Sequence, residues 1–253
     1  VPVARPDSFA FRVVARIVRS FMFAITRRDW QGMKHFPTDS GFIAAANHAT
    51  DLDALTFAHF LFDAGHEPRI LAKASLWKVP VVGWALRSTR MIPVARGSVD
   101  AGASLRAATE RLQAGDCVAI FPEGTLTRDP DLWPMAGKTG MARLALASRV
   151  PVVPTAQWGA QEILPRYSKR FRPFPRKLVH LHAGPPVDLS DLYDRPVDTV
   201  VLREATDRVL DAITHLLEEI RGERAPAVRF DLRRHPEYDT KQTTYPPLPE
   251  DAR

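Results

Sequence analysis

One cysteine, Cys117, is all that the sequence holds, so no internal disulfide can staple the fold. Its apolar setting, Cys-Val-Ala-Ile-Phe, assigns it to a core rather than to reactive chemistry. Such usage suits a reducing compartment. No stretch approaches the roughly 18 uninterrupted apolar residues that a bilayer-crossing helix needs. The amino terminus lacks the short apolar core and small-residue cleavage site of a secretion signal, so the chain is expected not to span a membrane. A Gly-x-Ser-x-Gly elbow is missing, which disfavours the covalent serine route of the hydrolases. His-x-x-x-His and cysteine-pair spacings are missing too, and no metal or other cofactor is expected. There is no internal repeat.

What is present is a chain of 253 residues, 45% hydrophobic, with 35 Lys and Arg against 29 Asp and Glu, a net charge of +6 and a pI near 9.8. That length buries a substantial core. The positive balance points to an anionic partner: a lipid surface, a phosphorylated substrate, an acidic carrier protein or nucleic acid. Residues 9 to 26 place Val13, Val14, Ile17, Val18, Phe21, Met22 and Ile25 on one half of a helix at about 100° per residue, with Arg12, Arg16 and Arg19 opposite. A basic amphipathic helix of this kind is suited to an anionic membrane interface or to packing on its own domain. Strands are expected at 42–46, 69–73, 91–94, 117–121, 152–156 and 178–183, and helices at 52–63, 76–86, 99–113, 138–148 and 199–220. This alternation predicts an α/β fold, a mostly parallel sheet covered by helices with an N-terminal amphipathic helix. The expected division is 1–40 as a membrane-associating segment, 41–222 as the α/β domain, and 223–253 as a Pro-rich polar tail with little regular structure.

Two motifs carry chemistry. Asn47-His48-Ala49-Thr50-Asp51-Leu52-Asp53 lies where an apolar segment gives way to a helical pattern, which sets an imidazole and a carboxylate on one rim. That pair is a general base with its orienter, or else a satisfied histidine beside a helix start. Phe121-Pro122-Glu123-Gly124-Thr125 follows another expected strand. Between them stand Lys73 and the block Ile92-Pro93-Val94-Ala95-Arg96, and after them Val150-Pro151-Val152-Val153-Pro154. In a parallel sheet, ligands bind beyond the carboxyl ends of the strands, where His48, Lys73, Arg96 and Glu123 are all expected.

These blocks, in this order over roughly residues 41 to 187, resemble the glycerolipid acyltransferase family, specifically the 1-acylglycerol-3-phosphate (lysophosphatidate) acyltransferases. The resemblance implies His48 as catalytic base oriented by Asp53, and Lys73, Arg96, Glu123, Gly124 and Thr125 as substrate-binding residues. Glu123 would help to bind the acceptor, and Gly124 would let backbone amides approach an oxyanion. The partners implied are acyl-CoA or acyl carrier protein as donor, a lysophospholipid acceptor and an anionic membrane surface, with no nucleic acid. The location implied is peripheral, on the cytoplasmic face of the plasma membrane. Many relatives read Glu-Gly-Thr-Arg, whereas Leu126 stands here, so a basic group is missing from that loop. Arg128 or Lys138 would substitute, or the acceptor is a different lipid; a catalytically silent membrane-binding protein on the same fold is the remaining alternative. A metal held by His48, Asp51, Asp53 and Glu123 lacks the supporting spacings. A second basic cluster, Arg166, Lys169, Arg170, Arg172, Arg176 and Lys177 interleaved with Tyr167, Phe171 and Phe174, is expected to dock a membrane or an acidic carrier. Trp77, Pro80, Val81, Val82 and Trp84 form either core or the wall of an acyl-chain groove.

Overall fold

Strand β2 (Phe42–Ala46) has no polar residue and is buried from end to end, as a strand covered on both faces must be. Its alternate residues divide between two cores. Ile43 and Ala45 join Val118, Ile120 and Val152 on one face, and Phe42, Ala44 and Ala46 join Cys117, Ala119 and Val153 on the other. In the computed structural model, which describes residues 9–94 and 101–248, β2 is the centre of a 7-stranded sheet of order β1-β7-β6-β2-β5-β3-β4. The strands are β1 (Thr26–Gln31), β2, β3 (Pro68–Lys73), β4 (Ile92–Val94), β5 (Cys117–Ile120), β6 (Val152–Trp158) and β7 (Lys177–Ala183). All pair in parallel except β6 with β7.

Parallel neighbours require crossovers, and helices supply them. The first face of the sheet is covered by α4 (Ala101–Gln113), α5 (Gly140–Ser148) and α7 (Thr199–Arg221), through Leu112, Leu144 and Val209 among others. The second is covered by α1 (Phe9–Ile25) and α2 (Asp53–Asp63), through Met22, Ile25, Phe57 and Phe60. Helix α3 (Pro80–Ser88) and the short α6 (Ala160–Ile163) complete the set of α-helices among the described residues. This is the mostly parallel α/β sheet that the alternating pattern predicts.

Two expectations about organisation change. The described part of the segment expected at 1–40, residues 9–40, does not stand apart from the domain, because β1 joins the sheet beside β7 and α1 packs on α2. The arginines of α1 stay exposed, and one of them, Arg19, joins Arg28 of β1 in bonding Asp63 of α2, at 2.8 and 3.0 Å. The face read as apolar is split, with Met22 and Ile25 buried and Ile17 and Phe21 exposed. The tail has only a 3-10 turn at Pro236–Tyr238 as regular structure among its described residues, yet Phe230, Tyr238, Tyr245 and Leu248 are buried with Met135 in a core of their own. Aromatic burial, not secondary structure, fastens it. Among the described residues, no helix is long and apolar enough to cross a membrane.

Candidate active site

Strand β2 ends at Ala46, and the backbone then turns sharply into α2. Asp53 makes that turn. Its Oδ2 accepts from the amides of Ala49 at 2.5 Å and Thr50 at 2.8 Å, and it also meets His48 Nδ1 at 3.2 Å. An oxygen already taking two backbone amides is an acceptor, so Nδ1 is the donor and Nε2 is left as the basic nitrogen of the neutral ring. Asp53 is buried at 2%, while the His48 side chain keeps 17% exposure. The imidazole also stacks on Phe121, with centroids 4.0 Å apart and planes inclined by 15°. Asn47 anchors the strand end, its side-chain amide bonding Gln157 on β6 through both backbone N–H and C=O.

The loop from 121 to 139 closes over this turn. Glu123 is 1% exposed, and its two oxygens accept from the amides of His48 at 2.9 Å and Met135 at 3.0 Å. Burial raises its pKa to about 8 despite those two bonds, so at neutral pH it carries a proton. The Thr127 amide donates to His48 O at 2.7 Å, a second tie between the two motifs. Glu123 therefore differs from its expected role as an acceptor-binding group: both oxygens are spent inside the protein, where they hold the base's backbone. The Gly124 amide likewise donates to Phe121 O at 2.9 Å, closing its own turn rather than standing open to an oxyanion. Glycine is favoured there by φ of 70° and by the Lys138 side chain, which a Cβ would meet at 3.0 Å.

His48 lines a cavity of about 490 Å³ together with Lys73, Gly124, Thr125, Lys138 and Tyr167. Lys73 reaches it from the end of β3. Arg96 lies outside the described residues. Arg128 is no replacement for the missing cation at 126, because it is buried and bonds Leu126 O and Tyr167 OH. Arg166 is not part of a solvated basic cluster but is buried too, bonding the carbonyls of Thr127 and Asp129. Both arginines brace the loop. Next to this cavity is an apolar groove of about 450 Å³ between α1, α2 and α3, walled by Val14, Val18, Ala58, Val82 and Leu86, with Asp51, Ala54 and Leu76 lining both. Of the five residues expected at an acyl groove, Val81 and Val82 line it, and Trp84 is an exposed side chain on α3.

The family model described as Acyltransferase matches residues 27–158, just over half of the chain and both motifs. The chain belongs to the Acyltransferase family. It is 30% identical over 153 residues to the 1-acyl-sn-glycerol-3-phosphate acyltransferase BAT2, chloroplastic, of Brassica napus, across 58% of this chain and 42% of that protein. It thus spans about two fifths of that plant relative's length. With the 1-acyl-sn-glycerol-3-phosphate acyltransferase of Bacillus subtilis it shares 24% identity across 74% of this chain and 88% of that one. The crystal structure of the 1-acyl-sn-glycerophosphate acyltransferase PlsC from Thermotoga maritima superposes with a TM-score of 0.66 at 24% identity, covering 88% and 86% of the two chains, and shares the fold.

Within this Acyltransferase-family fold, some groups escaped sequence reading. Tyr167, expected only in the cluster that docks a membrane or carrier, reaches the cavity and lies 3.5 Å from Thr125 Oγ1, and Lys241 comes in from the tail. Neither position carries a motif. Among the described residues, one group has ligand atoms close enough for a metal ion: Asp29, His180 and His182, all within 4.8 Å. It pairs β1 with β7, where alternate residues of one strand meet the partner of the other. Asp29 accepts from His180 at 2.7 Å and His182 at 3.1 Å. Burial opposes ionisation of Asp29, but bonds from Gln31 and the two histidines outweigh it and bring the carboxyl to about 2. That makes it a charged fastening for the edge strand.

Proposed function

We propose that this chain transfers a fatty acyl group from a thioester donor, acyl-CoA or acyl carrier protein, to the free hydroxyl of 1-acylglycerol-3-phosphate, forming phosphatidate. The observation that carries the reading is the His48 ring: Nδ1 tied to Asp53, Nε2 left basic, at the wall of a cavity with lysines on one side and an apolar groove beside it. The acceptor hydroxyl gives its proton to Nε2 as its oxygen attacks the thioester carbonyl. The tetrahedral intermediate then collapses, the carbon–sulfur bond breaks, and the imidazolium returns the proton to the departing sulfur. No enzyme nucleophile is needed. The groove takes the acyl chain, and Lys73, Thr125 and Lys138 face the polar headgroup.

The same reading places the protein on the cytoplasmic face of the plasma membrane. Phe21 stacks on Phe171 at 6.2 Å and 13°, joining the exposed side of α1 to the loop before β7, and Phe174, Val81 and Trp84 add exposed apolar surface. With a net charge of +6, this surface suits an anionic bilayer. The test is acyl transfer to 1-acylglycerol-3-phosphate on phosphatidylglycerol vesicles. Wild type should sediment with the vesicles and turn over, while His48→Ala should sediment equally and lose about 10²-fold or more of the rate. Turnover retained by a purified, folded H48A protein removes the base assignment.

A further inference from the structure

The C-terminal segment, polar and rich in proline, is built into the wall of the active site. Its aromatic cluster includes Met135, whose amide holds Glu123, and the Ala136 amide donates to Phe230 O at 2.7 Å. The tail is thereby tied to the loop that carries the Phe-Pro-Glu-Gly-Thr motif. Tyr245 is buried, with its ring 4.4 Å from the Arg166 guanidinium that braces the same loop. Its hydroxyl donates to Thr240 O and accepts from the Gln242 amide at 3.3 Å. One phenol therefore clamps the backbone on both sides of Lys241, and Lys241 lines the His48 cavity.

We propose that Lys241, held by this aromatic strap, supplies with Lys73 and Lys138 the positive charge for a phosphate monoester headgroup. The strap would thus replace the cation that Leu126 leaves out of the motif loop. This inference rests on the acyltransferase reading for its lipid substrate, but its chemistry is that of an anion site. The balance of charge supports it: Leu126 is buried at 3%, and Arg128 and Arg166 are consumed by carbonyls and a tyrosine. Among the described residues lining the cavity, the cations are Lys73, Lys138 and Lys241, all exposed, against the single carboxyl of Asp51. Ammonium groups on flexible stems act as point charges and gather round a dianion without demanding forked geometry. A zwitterionic or uncharged headgroup would gain little from three of them.

The experiment compares 1-acylglycerol-3-phosphate with monoacylglycerol as acceptors, and measures binding of 1-acylglycerol-3-phosphate in neutral detergent micelles by calorimetry. Lys241→Gln should lower the ratio of kcat/KM for the phosphate over the uncharged acceptor by about tenfold or more, chiefly through acceptor KM, as loss of a charge-assisted contact predicts. Lys241→Arg should restore most of that ratio. Tyr245→Phe, which keeps the ring but removes the clamp, should reproduce part of the loss. An unchanged ratio and unchanged micelle binding in K241Q overturn the proposal while leaving the acyltransferase reading in place. If wild type transfers no acyl group but binds the phosphate lipid in a Lys241-dependent way, the headgroup site stands and the reaction assignment falls. Absence of binding by wild type overturns the site.

Discussion

Asp53 Oδ2 gathers three partners at once, the amides of Ala49 and Thr50 and the ring of His48. One carboxylate therefore shapes the turn and sets the tautomer. Replacing it by asparagine keeps the size but removes the charge, and neutral acceptors hold amides about half as strongly. An amide nitrogen turned toward the ring would also donate to Nδ1 and drive the ring proton to Nε2, which is the wrong atom for a base. Asp53→Asn should consequently lower kcat by roughly a hundredfold or more and also lower the melting temperature. A variant with wild-type kcat would show that His48 needs no orienter. The His48 and Asp53 pairing was legible because five residues and a strand-to-helix transition are a local matter. Glu123 was not. Its position beside His48 could be read, but whether a carboxyl faces a ligand or two backbone amides depends on how a long loop closes, and no local pattern records that.

Elements were legible in proportion to how plainly their apolar residues form a run or a period. Strands β2 and β5 are continuous apolar runs, β6 opens on one at Val152 and Val153, and each forms where that pattern requires. Strand β1, Thr-Arg-Arg-Asp-Trp-Gln, has no such pattern and was not foreseen, because it is an edge strand with one neighbour, fastened by Asp29 to two histidines on β7. The helical period of α1 was plain, but which part of its apolar face is buried depends on Phe57 and Phe60 of α2, residues distant in sequence that pack with Met22 and Ile25. Helix α2 also presents Ala58 to the apolar groove. Because methyl-sized residues there leave room for a chain, Ala58→Phe should shorten the acyl group accepted, shifting the ratio of kcat/KM for medium over long acyl donors by roughly tenfold. Parallel assays with donors of two lengths check this, and an unaltered preference would place the acyl chain elsewhere.

At the scale of the whole molecule, burying a carboxyl beneath the active-site turn makes stability depend on pH. Burial raises Glu123 from 4.5 to about 8, Glu67 from 4.5 to about 7 and Asp129 from 3.8 to about 6, while it lowers His59 from 6.5 to about 4. A carboxyl with a raised folded pKa keeps a proton that the unfolded chain has already released, so folding weakens as pH climbs from the unfolded value to the folded one. His59 works in the opposite sense, adding stability between about 4 and 6.5 and nothing above. At pH 7, Asp129 has passed its folded value, Glu67 is at its own and half ionised, and His59 is mostly neutral in both states. Among these four groups, Glu123 then contributes most of the fall from 7 to 8, with a slope of about 1 kcal/mol per pH unit, and Glu67 the smaller remainder. Urea unfolding between pH 6.5 and 8 should show stability falling in that window. Glu123→Gln should be less stable at pH 6.5, since its amide nitrogen must face either the His48 or the Met135 amide, yet its unfolding should lose most of the fall between 7 and 8, leaving only the Glu67 share. If the slope survives undiminished in E123Q, Glu123 is ionised at neutral pH, and a negative charge, not a proton, lies beneath the catalytic turn.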